Sequence, residues 1–194
     1  MKNTEKLKNA MLPGKVYRRK ELAGFSTAVD RDLKTLVTAG EVQKLAGGLY
    51  YRPRTNPFGV TPPEDHEIAR AFLKTDDFLL TSYNYFNQLG LGLTQVYNDY
   101  VVYNHKRSGC FFLGGKRFKF RLVPAYPHKL SKEFLLVDLL NNLKYLPDNT
   151  DLVMRNLKSG VGDFNRQAVR EQLARYGRAA THAALEEAYA PIHP

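Results

Sequence analysis

The chain has 194 residues, of which 43% are apolar and 12% are Phe or Tyr, and its formal net charge is +10. That length suits a small domain followed by a medium one, and the apolar content excludes a disordered chain. The charge points to a polyanionic partner, whose counterions each Lys or Arg can displace, and the single cysteine, Cys110, excludes an intrachain disulfide.

The opening residues Met1 to Lys6 are polar with no apolar stretch behind them, and no run reaches the roughly 18 apolar residues of a spanning helix. A cytoplasmic protein with no membrane partner is expected. The positive charge is unevenly placed. Residues 1–54 hold twelve Lys or Arg against five Asp or Glu, leaving a surplus of three for the other 140.

In chain order, Leu7, Ala10 and Met11 predict one face of a short helix that stops at Pro13-Gly14. A second short helix is predicted over Arg19 to Ala23, closed by Gly24. Ser26 or Thr27 then caps a third, with Asp30 in a capping-box position relative to Thr27. Val29, Leu33, Leu36 and Val37 bury one face of that helix, and Gly40 suits its left-handed C-terminal cap. Glu41 to Ala46 and Leu49 to Arg52, separated by Gly47-Gly48, read as a hairpin. Three helices and a basic hairpin predict a winged helix-turn-helix over residues 1–54.

Four prolines and a glycine between Tyr51 and Pro63 predict a linker over 55–63 without regular structure. Residues 64–194 read as a mixed α+β domain ending in helices, which makes the whole chain α+β. Its predicted elements are a helix from Glu64 to Leu73, a strand from Phe78 to Thr81 and a capped turn from Ser82 to Leu89. Strands follow over Tyr100–Asn104, Cys110–Leu113 and Lys116–Val123, the last two joined at Gly114-Gly115. A helix capped by Ser131 runs to Leu146, and two more span Phe164–Tyr176 and Arg178–Tyr189.

The third helix is the candidate DNA reader, because Arg31, Lys34, Thr35 and Thr38 lie opposite its apolar face, with Thr27 at its start. Such a helix fits the major groove, where Arg or Lys pairs with guanine O6/N7 and Thr contacts phosphate or a thymine methyl. Arg18, Arg19 and Lys20 before the second helix are candidate phosphate contacts, as are Lys44, Arg52 and Arg54 on or beside the hairpin. The competing reading is a solvated helix face, partly neutralised by Asp30 and Asp32.

Alternation in Lys116 to Leu122 places Phe118, Phe120 and Leu122 inward and Arg117, Lys119 and Arg121 on an outward basic ridge. That ridge is either a second binding surface or an ordinary exposed face. The aromatic middle around Tyr83, Tyr85, Phe86, Tyr97, Tyr100 and Tyr103 reads as core packing, with base stacking the alternative. His66, His105, His128, His182 and His193 lie apart without metal spacing, and no nucleophile–base set or phosphate-loop frame is present. Neither enzyme activity, a metal nor a cofactor is therefore expected.

The order of elements, with Glu21 to Phe25, the helix Thr27 to Ala39, Gly40 to Leu45 and Gly47 to Pro53, resembles the AbiEi-like antitoxins of type IV abortive-infection systems. The resemblance continues more loosely through Ser82 to Leu91 and is weakest in the last fifty residues. It implies an antitoxin that represses its own operon by binding operator DNA at inverted repeats and counters a nucleotidyltransferase-fold toxin. A dimer on DNA is one arrangement it allows. The alternative is a stand-alone winged-helix transcription regulator whose second domain senses a ligand or dimerises.

Overall fold

A computed structural model describes residues 3–190, and these form a mixed α+β molecule. The first helix, α1 (Asn3–Ala10), is followed by strand β1 (Val16–Arg18), helix α2 (Arg19–Leu22), a 3₁₀ turn (Ala23–Phe25) and helix α3 (Val29–Thr38). Strands β2 (Gln43–Ala46) and β3 (Leu49–Tyr51) form the expected hairpin, and β1 adds to it antiparallel in the order β1-β3-β2.

The faces of this small sheet divide the residues by alternation. Tyr17 and Tyr50 face α1 and α3, joining a cluster of Leu7, Met11, Leu22, Leu33 and Leu36. Val16, Leu45, Leu49 and Tyr51 face the opposite way. Burying Leu33 and Leu36 contributes about 2 kcal/mol each, against about 0.3–0.5 kcal/mol for an exposed ion pair. Packing, rather than surface charge, therefore fixes where α3 points.

Residues 55–63 are not irregular as the prolines predict. Strands β4 (Arg54–Asn56) and β5 (Gly59–Thr61) pair antiparallel. All four prolines fall outside them: Pro53 precedes β4, Pro57 lies in the turn, and Pro62 and Pro63 follow β5, so no ladder donor is lost.

Helix α4 (Asp65–Leu73) leads to a four-stranded sheet of β6 (Leu79–Thr81), β7 (Asp99–Asn104), β8 (Gly109–Leu113) and β9 (Lys116–Leu122), in the order β6-β7-β9-β8. The β8–β9 hairpin inserts β9 beside β7 in parallel register, Asp99 opposite Arg117 through Asn104 opposite Leu122. A 3₁₀ segment (Tyr83–Leu89), capped by Ser82, links β6 to β7. The chain closes with α5 (Lys132–Asn142), α6 (Thr150–Gly160), α7 (Arg166–Tyr176) and α8 (Ala179–Tyr189). Helix α6 has no counterpart among the elements predicted from sequence.

One face of the four-stranded sheet meets α4 and the far face of the small sheet. There Phe118, Phe120, Val102 and Ile68 share a single core with Val16, Leu45, Leu49 and Tyr51. The other face packs under α5 to α8. Gly114 shows how tight the first junction is: its N–H donates to Leu45 O at 2.9 Å, its φ is +60°, and a Cβ there would stand 3.4 Å from Ile68 and Leu45. No helix among the described residues is long and apolar enough to cross a membrane.

Candidate nucleic-acid interface

The N-terminus of α3 is built differently from the expected capping box. Ser26 Oγ accepts the Ala28 N–H at 3.0 Å and donates to Asp32 Oδ2 at 2.6 Å, while Thr4 Oγ1 donates to Asp32 Oδ1 at 3.1 Å. Asp32 is thereby buried with both oxygens satisfied. Thr27 stays exposed and caps nothing, and Asp30 turns outward to Arg19. At the other end Gly40, at φ +70°, closes the helix with Gly40 N–H on Val37 O and Glu41 N–H on Leu36 O.

Arg31, Lys34, Thr35 and Thr38 all lie on the exposed side of α3, opposite Val29, Asp32, Leu33 and Leu36. The Arg31 side chain is 76% exposed, and its nearest carboxylate, Asp32, is 3.8 Å away, too far for a hydrogen bond. Lys34 forms no ion pair among the described residues. Thr35 donates its hydroxyl proton to Arg31 O at 3.0 Å.

The flanking candidates separate into paired and unpaired cations. Arg18 is held by Glu21, which also accepts the Arg18 backbone N–H at 2.8 Å. Arg19 grips Asp30 through two hydrogen bonds of 2.8 and 2.6 Å, and the bond from Arg19 holds the Asp30 carboxyl below the usual range. Arg52 is structural: its guanidinium donates to Lys8 O at 2.6 Å and to Met11 O, closing the end of α1. Lys20 and Lys44 are exposed, and Arg54 lies on the β4–β5 hairpin rather than on β2–β3.

Where α2 meets the β2–β3 turn, Arg19 N–H donates to Gly48 O at 2.8 Å. A cleft of about 340 Å³ opens there, lined by Arg18, Arg19, Lys20, Lys74 and Arg107 and by no carboxylate. Arg107 lies over the Phe72 ring at 4.6 Å, which fixes its guanidinium at the rim. Lys74 and Arg107 are absent from the sequence candidates. No local pattern marks them, because Lys74 at the end of α4 and Arg107 in the β7–β8 turn reach the hairpin only through tertiary packing.

The basic ridge is corrected in part. Phe118 and Phe120 are buried and Arg117 is exposed as expected, yet Leu122 is 58% exposed, and Lys119 and Arg121 are half-buried on the sheet face that they share with Asp99, Val101 and Tyr103. Arg117 and Lys119 both clamp Asp99, Lys119 at 2.5 Å. Burial alone would raise the Asp99 pKa, but the hydrogen bonds from Arg117 and Lys119 outweigh it and hold the carboxyl low. Arg121 donates to Asn142 Oδ1 on α5 at 2.9 Å. One buried carboxylate thus pairs with two of the three cations, and a neutral amide on α5 accepts from the third.

Among the described residues no three His, Cys, Asp or Glu gather as a metal site; His193 lies outside them. No family model, no curated protein and no solved structure matches the chain.

Proposed function

We propose that residues 3–54 are a winged helix-turn-helix that binds duplex DNA, with α3 in the major groove and β2–β3 as the wing. We further propose that the chain is an autorepressing antitoxin of the AbiE type. The observation that carries the DNA-binding reading is the exposed α3 face, where Lys34 has no ion pair among the described residues and Arg31 has only Asp32 at 3.8 Å, together with the cleft cations Lys20, Lys74 and Arg107, which have no carboxylate partner among the described residues. Concentrated positive charge with no internal partner is repelled in the free protein and relieved by phosphates. The helix, strand, two-helix and hairpin order also supports it.

The antitoxin half rests on the resemblance in residues 21–53 and 82–91. It carries with it the chain's own operator and a nucleotidyltransferase-fold toxin as partners, and a cytoplasmic location.

The test is a salt series of binding titrations against duplex from the chain's own upstream region and a scrambled duplex of equal length. Replacing Arg31 or Lys34 by Ala is expected to cost about 1–3 kcal/mol on the specific duplex and little on the scrambled one. The Lys74→Ala/Arg107→Ala pair is expected to weaken both alike and reduce the salt slope by about two. Equal loss on both duplexes for the α3 changes would refute groove reading. A toxin encoded beside the gene that this chain fails to neutralise on co-expression would refute the antitoxin half.

A further inference from the structure

A second cleft, of about 290 Å³, lies on the far side of the four-stranded sheet, between the end of β9, α5 and the α7–α8 turn. Its frame is rigid. Asn141 on α5 donates to Tyr176 O at 2.9 Å, accepts from the Arg178 N–H at 3.0 Å and accepts from Thr181 Oγ1 at 2.7 Å, which staples the α7–α8 turn to the helix.

Polar groups gather at one side of the cleft. Asp138 is 4% exposed; its Oδ1 accepts from Tyr103 Oη at 2.6 Å and from Asn142 Nδ2 at 2.9 Å. Its Oδ2 is buried and accepts no hydrogen bond among the described residues. An isolated buried carboxylate oxygen is costly and is ordinarily satisfied. Phe134, Tyr126 and Tyr176 supply aromatic walls, and Arg175 and Arg178 stand exposed at the mouth with no ion pair among the described residues. Apolar walls around a few converging polar groups are the make-up of a small-molecule site, and this volume is at the small end of such sites.

We infer that this cleft binds a small organic anion carrying an N–H-bearing ring, its N–H donating to Asp138 Oδ2 and its acidic group held by Arg175 and Arg178. One open acceptor calls for a single N–H rather than an ammonium, which would bring three donors to a place with one vacancy. The aromatic walls suit a flat ring, and the two guanidiniums suit a carboxylate or a phosphate. The site is separate from the α3 face, so it stands whether or not the chain binds DNA.

The same chemistry occurs in GMP and UMP, whose bases carry a ring N–H, and in an indole carboxylate such as indole-3-acetate; calorimetric titration of the full chain with GMP, UMP and indole-3-acetate, and with AMP and CMP as controls that lack a ring N–H, distinguishes them. Saturable binding by one arm is expected, weakened about ten- to hundredfold in Asp138→Asn, where an acceptor oxygen becomes a donor. Arg175→Ala, which removes an exposed side chain with no hydrogen bond among the described residues, is expected to weaken it about tenfold. Binding that survives both changes would overturn the assignment, and so would no binding by GMP, UMP or indole-3-acetate.

Discussion

Asp32 and Asp138 are both carboxylates taken out of water, and they differ in what their oxygens receive. Asp32 has a hydroxyl donor on each oxygen, whereas Asp138 has two donors on one oxygen and none on the other. Burial accordingly pushes the Asp138 carboxyl up to about 6, against the opposing pull of Tyr103, Arg121, Asn142 and Arg178. An unfolded aspartate ionises near 3.9, so between about pH 4 and pH 6 the folded chain holds more protons than the unfolded one. This group's contribution to stability is therefore complete at the acid end of that window and is lost as pH rises through about 6. The difference across the window is on the order of 3 kcal/mol. Urea unfolding across this range is expected to show Asp138→Asn with a flatter dependence than the parent chain. Identical slopes would mean that the carboxyl ionises as freely in the folded chain as in water.

The elements were legible where periodicity is long or a turn residue is specific. The hydrophobic face of α3, the Gly40 cap, the Gly47-Gly48 and Gly114-Gly115 turns and the Ser131 cap all follow from the residues themselves. Strand β1 was not, because three residues have no period, and pairing with β3 alone makes them a strand. Helix α6 was hidden by its short apolar repeat, since Val153 and Leu157 are its only buried positions, although Asn149 accepting the Leu152 N–H at 3.0 Å is an ordinary cap. Of the two cap candidates, Ser26 and Thr27, Ser26 is the one that accepts a backbone N–H, and sequence does not choose between them because the buried Ser26–Asp32–Thr4 cluster depends on α1 arriving from 28 residues away. That cluster is open to a direct test. Asp32→Ala strands two hydroxyls and removes the acceptor that ties α1 to α3, and is expected to cost about 1–3 kcal/mol in urea unfolding. A change below about 0.5 kcal/mol would place the hold of α3 entirely in Leu33 and Leu36. At the α7–α8 junction, a Cβ on Gly177 would stand 2.5 Å from the Leu173 backbone oxygen, so the backbone itself must shift. Gly177→Ala is expected to destabilise by about 1–3 kcal/mol, and a variant as stable as the parent would show that the junction yields easily.

Across the whole molecule, sequence patterning separates inside from outside well and separates paired from free charge poorly. Arg19, Arg52 and Arg117 each look like surface cations in a local window, yet their partners, Asp30, the end of α1 and Asp99, lie 11 to 44 residues away. The same long-range packing joins regions that composition divides at residues 55–63. Val16, Leu45, Leu49 and Tyr51 bury their side chains against Ile68, Leu73 and Phe118, and Gly114 hydrogen-bonds Leu45 across the junction. Exposing four such residues costs roughly 1.5–3 kcal/mol each, a sum comparable to the roughly 5–15 kcal/mol that stabilises a typical domain. The full chain is therefore expected to melt in one transition, with equal calorimetric and van't Hoff enthalpies. A fragment of residues 1–63 is expected to lack the near-ultraviolet dichroism of packed Tyr50 and Tyr51. Two resolved transitions, or a fragment that folds and binds DNA as tightly as the full chain, would show instead that the shared core is a docking contact between independent domains.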